Sequence, residues 1–367
     1  MKVPFFRALD QHDYMMDSIL KRVEDVVRMD RFILGPVVEK FEAKFAQEMG
    51  APHAVGVNSG SDALLLALRL LDLQPEDEVI VPVFAFVGVP SAILRVGGTP
   101  MFVDVDPLTG LMDMTKMEEA ITPNTKAIIA LHLYGKSLNM NSLMEIARKH
   151  NLAVIEDCTQ AAGASFHGRK LGTFGMAGCY SLDSEANLGG IGDAGIIVTD
   201  TEERALRLRK LRDHGKMDET YADEIGYNSR MDAIQAAILS QKMDDLDDTN
   251  AERIENARFY NRCFADANAV LPEVGEEGTH VFNMYTLQVA QRDALEIYLN
   301  DKKIGSAIQY PIPLHLQPCF EFFEYKEGDF PQAEQLSKRV ISLPIFPGLK
   351  RKEIQYVAQA VVDFLTG

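Results

Sequence analysis

The stretch KAIIALHLYGKSLNMNSLMEIARKHNLAVIED, residues 126–157, reads as strand, helix, strand. Its outer runs, KAIIALHLY (126–134) and LAVIED (152–157), carry few polar residues, which suits strands covered on both faces of a mostly parallel sheet. MNSLMEIARKH (140–150) between them reads as an amphipathic helix. A unit of this kind implies an α/β fold with helices on both sides of the sheet. The same alternation extends outward. EVIVPVF (78–84), PMFVDV (100–105), GCYSL (178–182) and GIIVT (195–199) read as further strands, and SDALLLALRLL (61–71) as a helix. A long helical stretch, 231–267, then leads out of this region. Shorter elements and Pro-rich turns follow, YPIPLHLQP (310–318) and SLPIFPGL (342–349) among them. The boundary is placed near 245, giving a large domain, 1–245, and a smaller C-terminal α+β domain, 246–367.

Bulk properties exclude several classes. A chain of 367 residues with 47% hydrophobic and 25% charged content is that of a globular protein with a sizeable core. Its net charge of −17 argues against nucleic acid or an anionic membrane as main partner. No apolar run is long enough to span a membrane. The N-terminal MKVPFFRALDQHDYMM lacks the apolar core of a signal peptide, so a cytoplasmic location is expected. Cys158, Cys179, Cys263 and Cys319 are scattered, which fits reduced thiols better than a disulfide framework. The eight histidines show no ligand spacing, so no metal site is expected.

Several short stretches carry possible chemistry. In NSGSDALLLAL (58–68) a strand-like run meets a helix start, where Ser61 reads as the N-cap and free amides could hold phosphate. An ordinary capped helix is the plain alternative. Asp157 ends an apolar strand, and strand C-termini in a parallel sheet face the ligand crevice. A carboxylate there could hold a cation, such as a protonated pyridine nitrogen, or could simply cap the next helix. Ser181 could join Ser61 on a phosphate. Phe86, just past a strand end, could stack on a flat ring or pack in the core. Asn228 and Arg230 precede a helix and could reach a neighbouring subunit's ligand; a plain helix start is the other reading.

The order of these pieces resembles the DegT/DnrJ/EryC1/StrS family of sugar aminotransferases. The resemblance runs nearly end to end. It rests on RFILGPVVEKFE (31–42), NSGSDAL (58–64), DEVIVP (77–82), HLYG (132–135), IEDCTQAAGA (155–164), NLGGIGDAG (187–195), LRDHGK (211–216), GYNSRMDAIQAA (226–237) and YPIPLHLQP (310–318). It implies the PLP-dependent transferase fold type I, with a mostly parallel seven-stranded sheet in the large domain. It further implies pyridoxal 5′-phosphate (PLP), a nucleotide-linked keto-sugar substrate, glutamate as amino donor, and a homodimer with shared active sites. Carried over residue by residue, Asp157 pairs with the pyridine nitrogen, and Gln160 and Phe86 flank the ring. Gly60, Ser61 and Ser181 cradle the phosphate, and Asn228 reaches it from the other subunit. Tyr310, His315 and Arg230 fall on the substrate side.

One position departs from the pattern. Family members usually carry a segment like SF-H-P-S-K-N-L, and here it reads SLDSEANL, with Ala186 where the cofactor-binding lysine would stand. That lysine anchors PLP covalently and moves a proton during transfer, and a methyl group does neither. Gln309 and Asn139 also differ from common family residues. Three explanations fit. One is an engineered Lys→Ala change, which would trap cofactor, its amine form PMP, or a PLP–sugar external aldimine. Another is a lysine-independent enzyme resembling the family's sugar dehydratases. The third is a pseudoenzyme that binds a sugar nucleotide or serves regulation.

Overall fold

The computed structural model describes residues 1–7, 15–218, 220–273 and 277–366. Residues 8–14, part of the stretch read for a signal peptide, lie outside the described residues. Among the described residues no helix is long and apolar enough to cross a membrane.

The centre is a seven-stranded sheet in the order β1-β9-β8-β5-β4-β2-β3. Its strands are β1 (His53–Val57), β2 (Glu78–Pro82), β3 (Thr99–Val103), β4 (Thr125–Leu131), β5 (Ala153–Asp157), β8 (Ala177–Ser181) and β9 (Gly195–Thr199). Two short strands, β6 (Ser165–Phe166) and β7 (Arg169–Lys170), form a separate hairpin. Neighbours pair in parallel except at β9, which runs antiparallel to β1 and β8. Their Val- and Ile-rich sequences are buried along almost every position, as expected for a sheet covered on both faces. The helix between β4 and β5 spans Met140–His150, with Asn139 as cap and Asn151 left-handed at its end.

Three expected elements differ. EVIVPVF and KAIIALHLY leave the sheet early, at Pro82 and Leu131. Val83, Phe84 and Leu133 stay buried beyond the strand ends, where Val83 N still donates to Val103 O at 2.9 Å. The long stretch 231–267 is two helices, Ala233–Lys242 and Leu246–Cys263, joined by a 3-10 turn at Met243–Asp245. Asp247 and Asp248 sit in the first turn of the second helix, where the helix dipole favours negative charge.

Among the described residues, buried apolar side chains form one large cluster around the sheet, a smaller one in the C-terminal third, and a small third one of Met15, Ile19 and Ile238. The smaller cluster gathers Tyr260, Phe264, Tyr285, Leu295, Ile341 and Val357 around the antiparallel pair β10 (Tyr285–Gln288) and β11 (Val340–Leu343). The chain also returns to the large cluster: Phe320, Phe323, Tyr325 and Phe330 pack on Phe102 with ring centroids 5.6–6.5 Å apart.

Behind the sheet ends lies a buried polar cluster. The Glu156 carboxylate, fully buried, accepts backbone N–H bonds from Gly172 and Phe174 at 2.6 Å and from Gly175 at 2.8 Å. His132 Nδ1 accepts from Leu138 N at 3.3 Å, which leaves Nε2 to donate to Glu156 at 3.3 Å. Ligand atoms of His132, Glu156 and Cys158 lie within 4.8 Å of one another, but the glutamate is already taken up by the amides of the 172–175 turn. These bonds pin that turn behind the strand that ends in Asp157. Glu156→Gln would place an amide N–H against N–H donors. We expect it to cost about 2–4 kcal/mol in chemical denaturation, and a loss below about 0.5 kcal/mol would show the cluster to be dispensable.

Candidate active site

The parallel strands deliver their C-termini to one edge of the sheet. In register, Leu131 of β4 pairs with Asp157 of β5, which pairs with Cys179, two residues before the end of β8 at Ser181. At this edge lies an open cavity of about 290 Å³. It brings together Gly60, Ser61, Phe86, Asp157, Gln160, Ser181, Ala186 and Tyr310 from the sequence expectations.

The floor is built by a helix start. The helix Gly60–Arg69 is capped by Ser59, whose Oγ accepts from Asp62 N at 3.1 Å. The cap is therefore Ser59 and not Ser61 as the sequence suggested: Ser59 has the extended backbone that a cap needs, while Ser61 lies inside the first turn. That shift leaves the Ser61 side chain on the cavity wall. The helix start sits directly on Ser181, since a Cβ added at Gly60 would lie 2.6 Å from Ser181 Cβ. Free amides, a helix dipole and two serines in so close an approach suit a phosphate.

Asp157 is 1% exposed, and its Oδ1 accepts from Thr159 N at 3.0 Å. Burial pushes its carboxyl above the ordinary carboxylate value, against the opposing pull of the Thr159 hydrogen bonds and of His132. A buried carboxylate with no ion pair among the described residues suits a cationic ring nitrogen. Gln160 is held by its Oε1, which accepts from Tyr134 N at 2.6 Å. Tyr134 has a left-handed backbone, φ 59°, and its hydroxyl donates to Gln309 O. Phe86 is 54% exposed and lines the cavity. Burial and the Asp157 charge push the Tyr310 hydroxyl well above its usual value, so it stays a proton donor. These groups fit PLP: a phosphate cradle, a nitrogen partner and two flanking side chains.

Ala186 stands on the same wall, 4% exposed. Its turn is closed by Ala186 N donating to Asp183 O at 3.1 Å. Asp183 takes the Ser181 hydroxyl at 2.7 Å and the Glu185 amide at 2.8 Å.

Three expected residues are not brought to this cavity. His315 is turned into the core, its Nε2 3.0 Å from Glu334 Oε1 and its ring edge-on to Phe330. Asn228 is exposed, with its Oδ1 accepting from Arg230 Nε at 3.1 Å. Arg230 in turn lies 3.3 Å from Asp213. Conversely, Asn283 and Met284 line the cavity without having been singled out. They arrive from the C-terminal third, and no local motif announces them.

Comparison with known proteins closes the question of family. The family model described as DegT/DnrJ/EryC1/StrS aminotransferase matches residues 13–362. A UDP-N-acetyl-3-dehydro-alpha-D-glucosamine 3-aminotransferase from Acidithiobacillus ferrooxidans is 43% identical over 353 residues, 96% of this chain and 95% of that one. A protein from Geobacillus stearothermophilus named pleiotropic regulatory protein is 41% identical over 367 residues, 99% of each chain. The crystal structure of S. venezuelae DesV in complex with a ketimine intermediate matches with a TM-score of 0.98 at 36% identity, covering 100% of this chain and 99% of that one. Solved neighbours also include one with bound PMP. With a cavity that fits the cofactor and a match over nearly its whole length, the chain belongs to the DegT/DnrJ/EryC1/StrS aminotransferase family.

Proposed function

We propose that this chain is a PLP-dependent aminotransferase for a nucleotide-linked keto-sugar, with glutamate as amino donor, in which a single lysine-to-alanine replacement at 186 has stopped turnover. The observation that carries this reading is the alanine itself, on the wall of a cavity that gathers Gly60, Ser61, Phe86, Asp157, Gln160 and Ser181 around it. A protein long freed from catalysis would have no reason to keep Asp157, Gln160, Ser61 and Ser181 together around it.

The cofactor, when bound, supplies an electron sink for the carbon that loses its proton. The residues supply the rest. Asp157 keeps the ring nitrogen protonated. Gln160 and Phe86 hold the ring between them. The helix start and Ser61 bind the phosphate, joined by Ser181 once its hydroxyl turns from Asp183 to the ligand. Ala186 can neither attach the cofactor nor carry a proton, so binding is non-covalent.

Charge supports a shared site. Asp157, Asp183, Glu185 and Asp193 line the cavity, and among its described lining residues there is no Lys, Arg or His. An anionic cofactor and an anionic donor need more compensation than one helix dipole gives. In a cytoplasmic homodimer, Asn228 and Arg230 would reach the site of a second copy and supply it.

Calorimetric titration tests the reading. PMP should bind saturably, and a nucleotide-sugar should bind to the PMP-loaded chain with no product formed. A chain that takes up neither ligand at any concentration would sink the proposal and leave the fold as a scaffold for a protein partner.

A further inference from the structure

The loop that carries Ala186 is tied to the C-terminal wall of the cavity by a chain of three asparagines. Asn187, 8% exposed, uses its whole carboxamide. Its Nδ2 donates to Asn250 Oδ1 at 2.6 Å and to Val281 O at 3.0 Å. Its Oδ1 accepts from Asn283 Nδ2 at 3.0 Å. Asn283 Nδ2 also lies 3.4 Å from Glu185 O, and Asn283 itself lines the cavity. Asn250, on the helix Leu246–Cys263, sends its own Nδ2 to Ala162 O at 3.0 Å. The approach there is close: Gly163 has φ +85°, and a Cβ on it would lie 2.6 Å from Asn250 Nδ2. One turn further along the same helix, buried Arg253 reaches Phe282 O at 3.3 Å and Asn283 O at 3.4 Å. Lys242, from the preceding helix, donates to Gly189 O and holds the far end of the loop.

We propose that Asn187 and Asn250 are positioning residues that lock residue 186, the segment 281–284 and the chain beside Gln160 into one rigid unit, so that cofactor binding to any part orders the others. This rests on the cavity being the cofactor site proposed above. The physical basis is the completeness of the chain of bonds. Each amide of Asn187 has a partner, in a buried setting where a lost partner leaves an uncompensated polar group. None of the direct bonds reaches the cofactor from Asn187, whose effect must pass through Asn283 and residue 186. A group that only stabilised the fold would have no reason to bridge three separate walls of one cavity.

The test uses the full chain and hydrogen exchange read by mass spectrometry, with and without PMP. Asn187→Asp keeps the shape but turns a carboxylate oxygen toward Asn250 Oδ1 and Val281 O. Asn283→Ala is the milder variant, at the cavity edge. Asn283→Ala should speed exchange in both 183–191 and 281–284 by about tenfold and weaken PMP binding by about tenfold, the loss expected for one buried hydrogen bond, and Asn187→Asp should do both by more, since it sets a buried carboxylate against two acceptors. Exchange that rises only around the substituted residue, or an unchanged PMP affinity beside a lowered melting temperature, would overturn the proposal and leave the asparagines as fold stabilisers. If the parent chain binds no PMP, the functional reading fails, while the joint response of the two segments without ligand still decides this one.

Discussion

Ala186→Lys is expected to turn a cofactor-binding chain into an aminotransferase. With PLP added, the variant should develop a visible absorption band of covalently attached cofactor, and glutamate should bleach it. The backbone is already set for the change. Ala186 is held in its turn by the bond to Asp183, and the next residue is tied down by Asn250, Val281 and Asn283. The surroundings also accommodate the side chain, as a protonated ammonium until the anionic cofactor enters. The cavity carries four carboxylates and no basic side chain among its described lining residues, so an added lysine meets attraction and no like charge. A positioned proton carrier contributes about 10²–10⁴-fold, so turnover on glutamate should rise by at least about 10³-fold once covalent attachment is added to it. Reduction of the loaded variant with borohydride should fix the cofactor to residue 186, as peptide mass analysis would show. A chain that binds PMP, yet gives no band as Ala186→Lys, would mean the cavity has drifted beyond one residue. The lysine-independent or regulatory readings would then stand.

The parts of this picture that were legible in the sequence are local. GIIVT forms a strand over Gly195–Thr199, and the helix between the fold-defining strands spans Met140–His150, because both rest on short-range pattern and caps. Strand ends were less legible. Val83 and Phe84 are as apolar as the strand before them, and only the crevice beyond Pro82 explains their burial. The break at 243–245 was hidden for a similar reason: residues on both sides favour helix, and no proline or glycine marks the 3-10 turn between them. In the site, Asp157 and Ser181 end their strands and could be read from them, whereas Gln160 came from the family resemblance alone. Ser59 was missed as the cap because Ser59 and Ser61 both suit the role, and only backbone geometry separates them. Asn283 could not be read at all. It meets Asn187 across 96 residues of sequence, through a fold that no local pattern encodes.

Asp157→Asn should affect the free and loaded chain in opposite directions. Without ligand, Asp157 is a buried carboxyl whose pKa is raised, chiefly by burial. Between the ordinary carboxylate value and this raised one, the folded chain binds more protons than the unfolded chain. Stability therefore falls as pH rises through that window, and the cost is fully present above it. Asparagine keeps an oxygen for the Thr159 amide, bonded at 3.0 Å in the parent, and carries no charge. The ligand-free variant should accordingly melt higher than the parent at neutral pH and lose that pH dependence. With PMP the order reverses. The parent gains an ion pair between the carboxylate and the protonated ring nitrogen, and removing one partner of a buried pair costs about 3–5 kcal/mol, or about 10²–10⁴ in affinity. Ligand stabilisation follows RT ln(1 + [L]/Kd), so a PMP concentration that raises the parent's melting temperature should barely move the variant's. Melting curves at fixed PMP, repeated across pH, separate the two effects. Affinity kept within about threefold would place the ring nitrogen away from Asp157, and a destabilised ligand-free variant would show that this carboxylate serves the fold before it serves the cofactor.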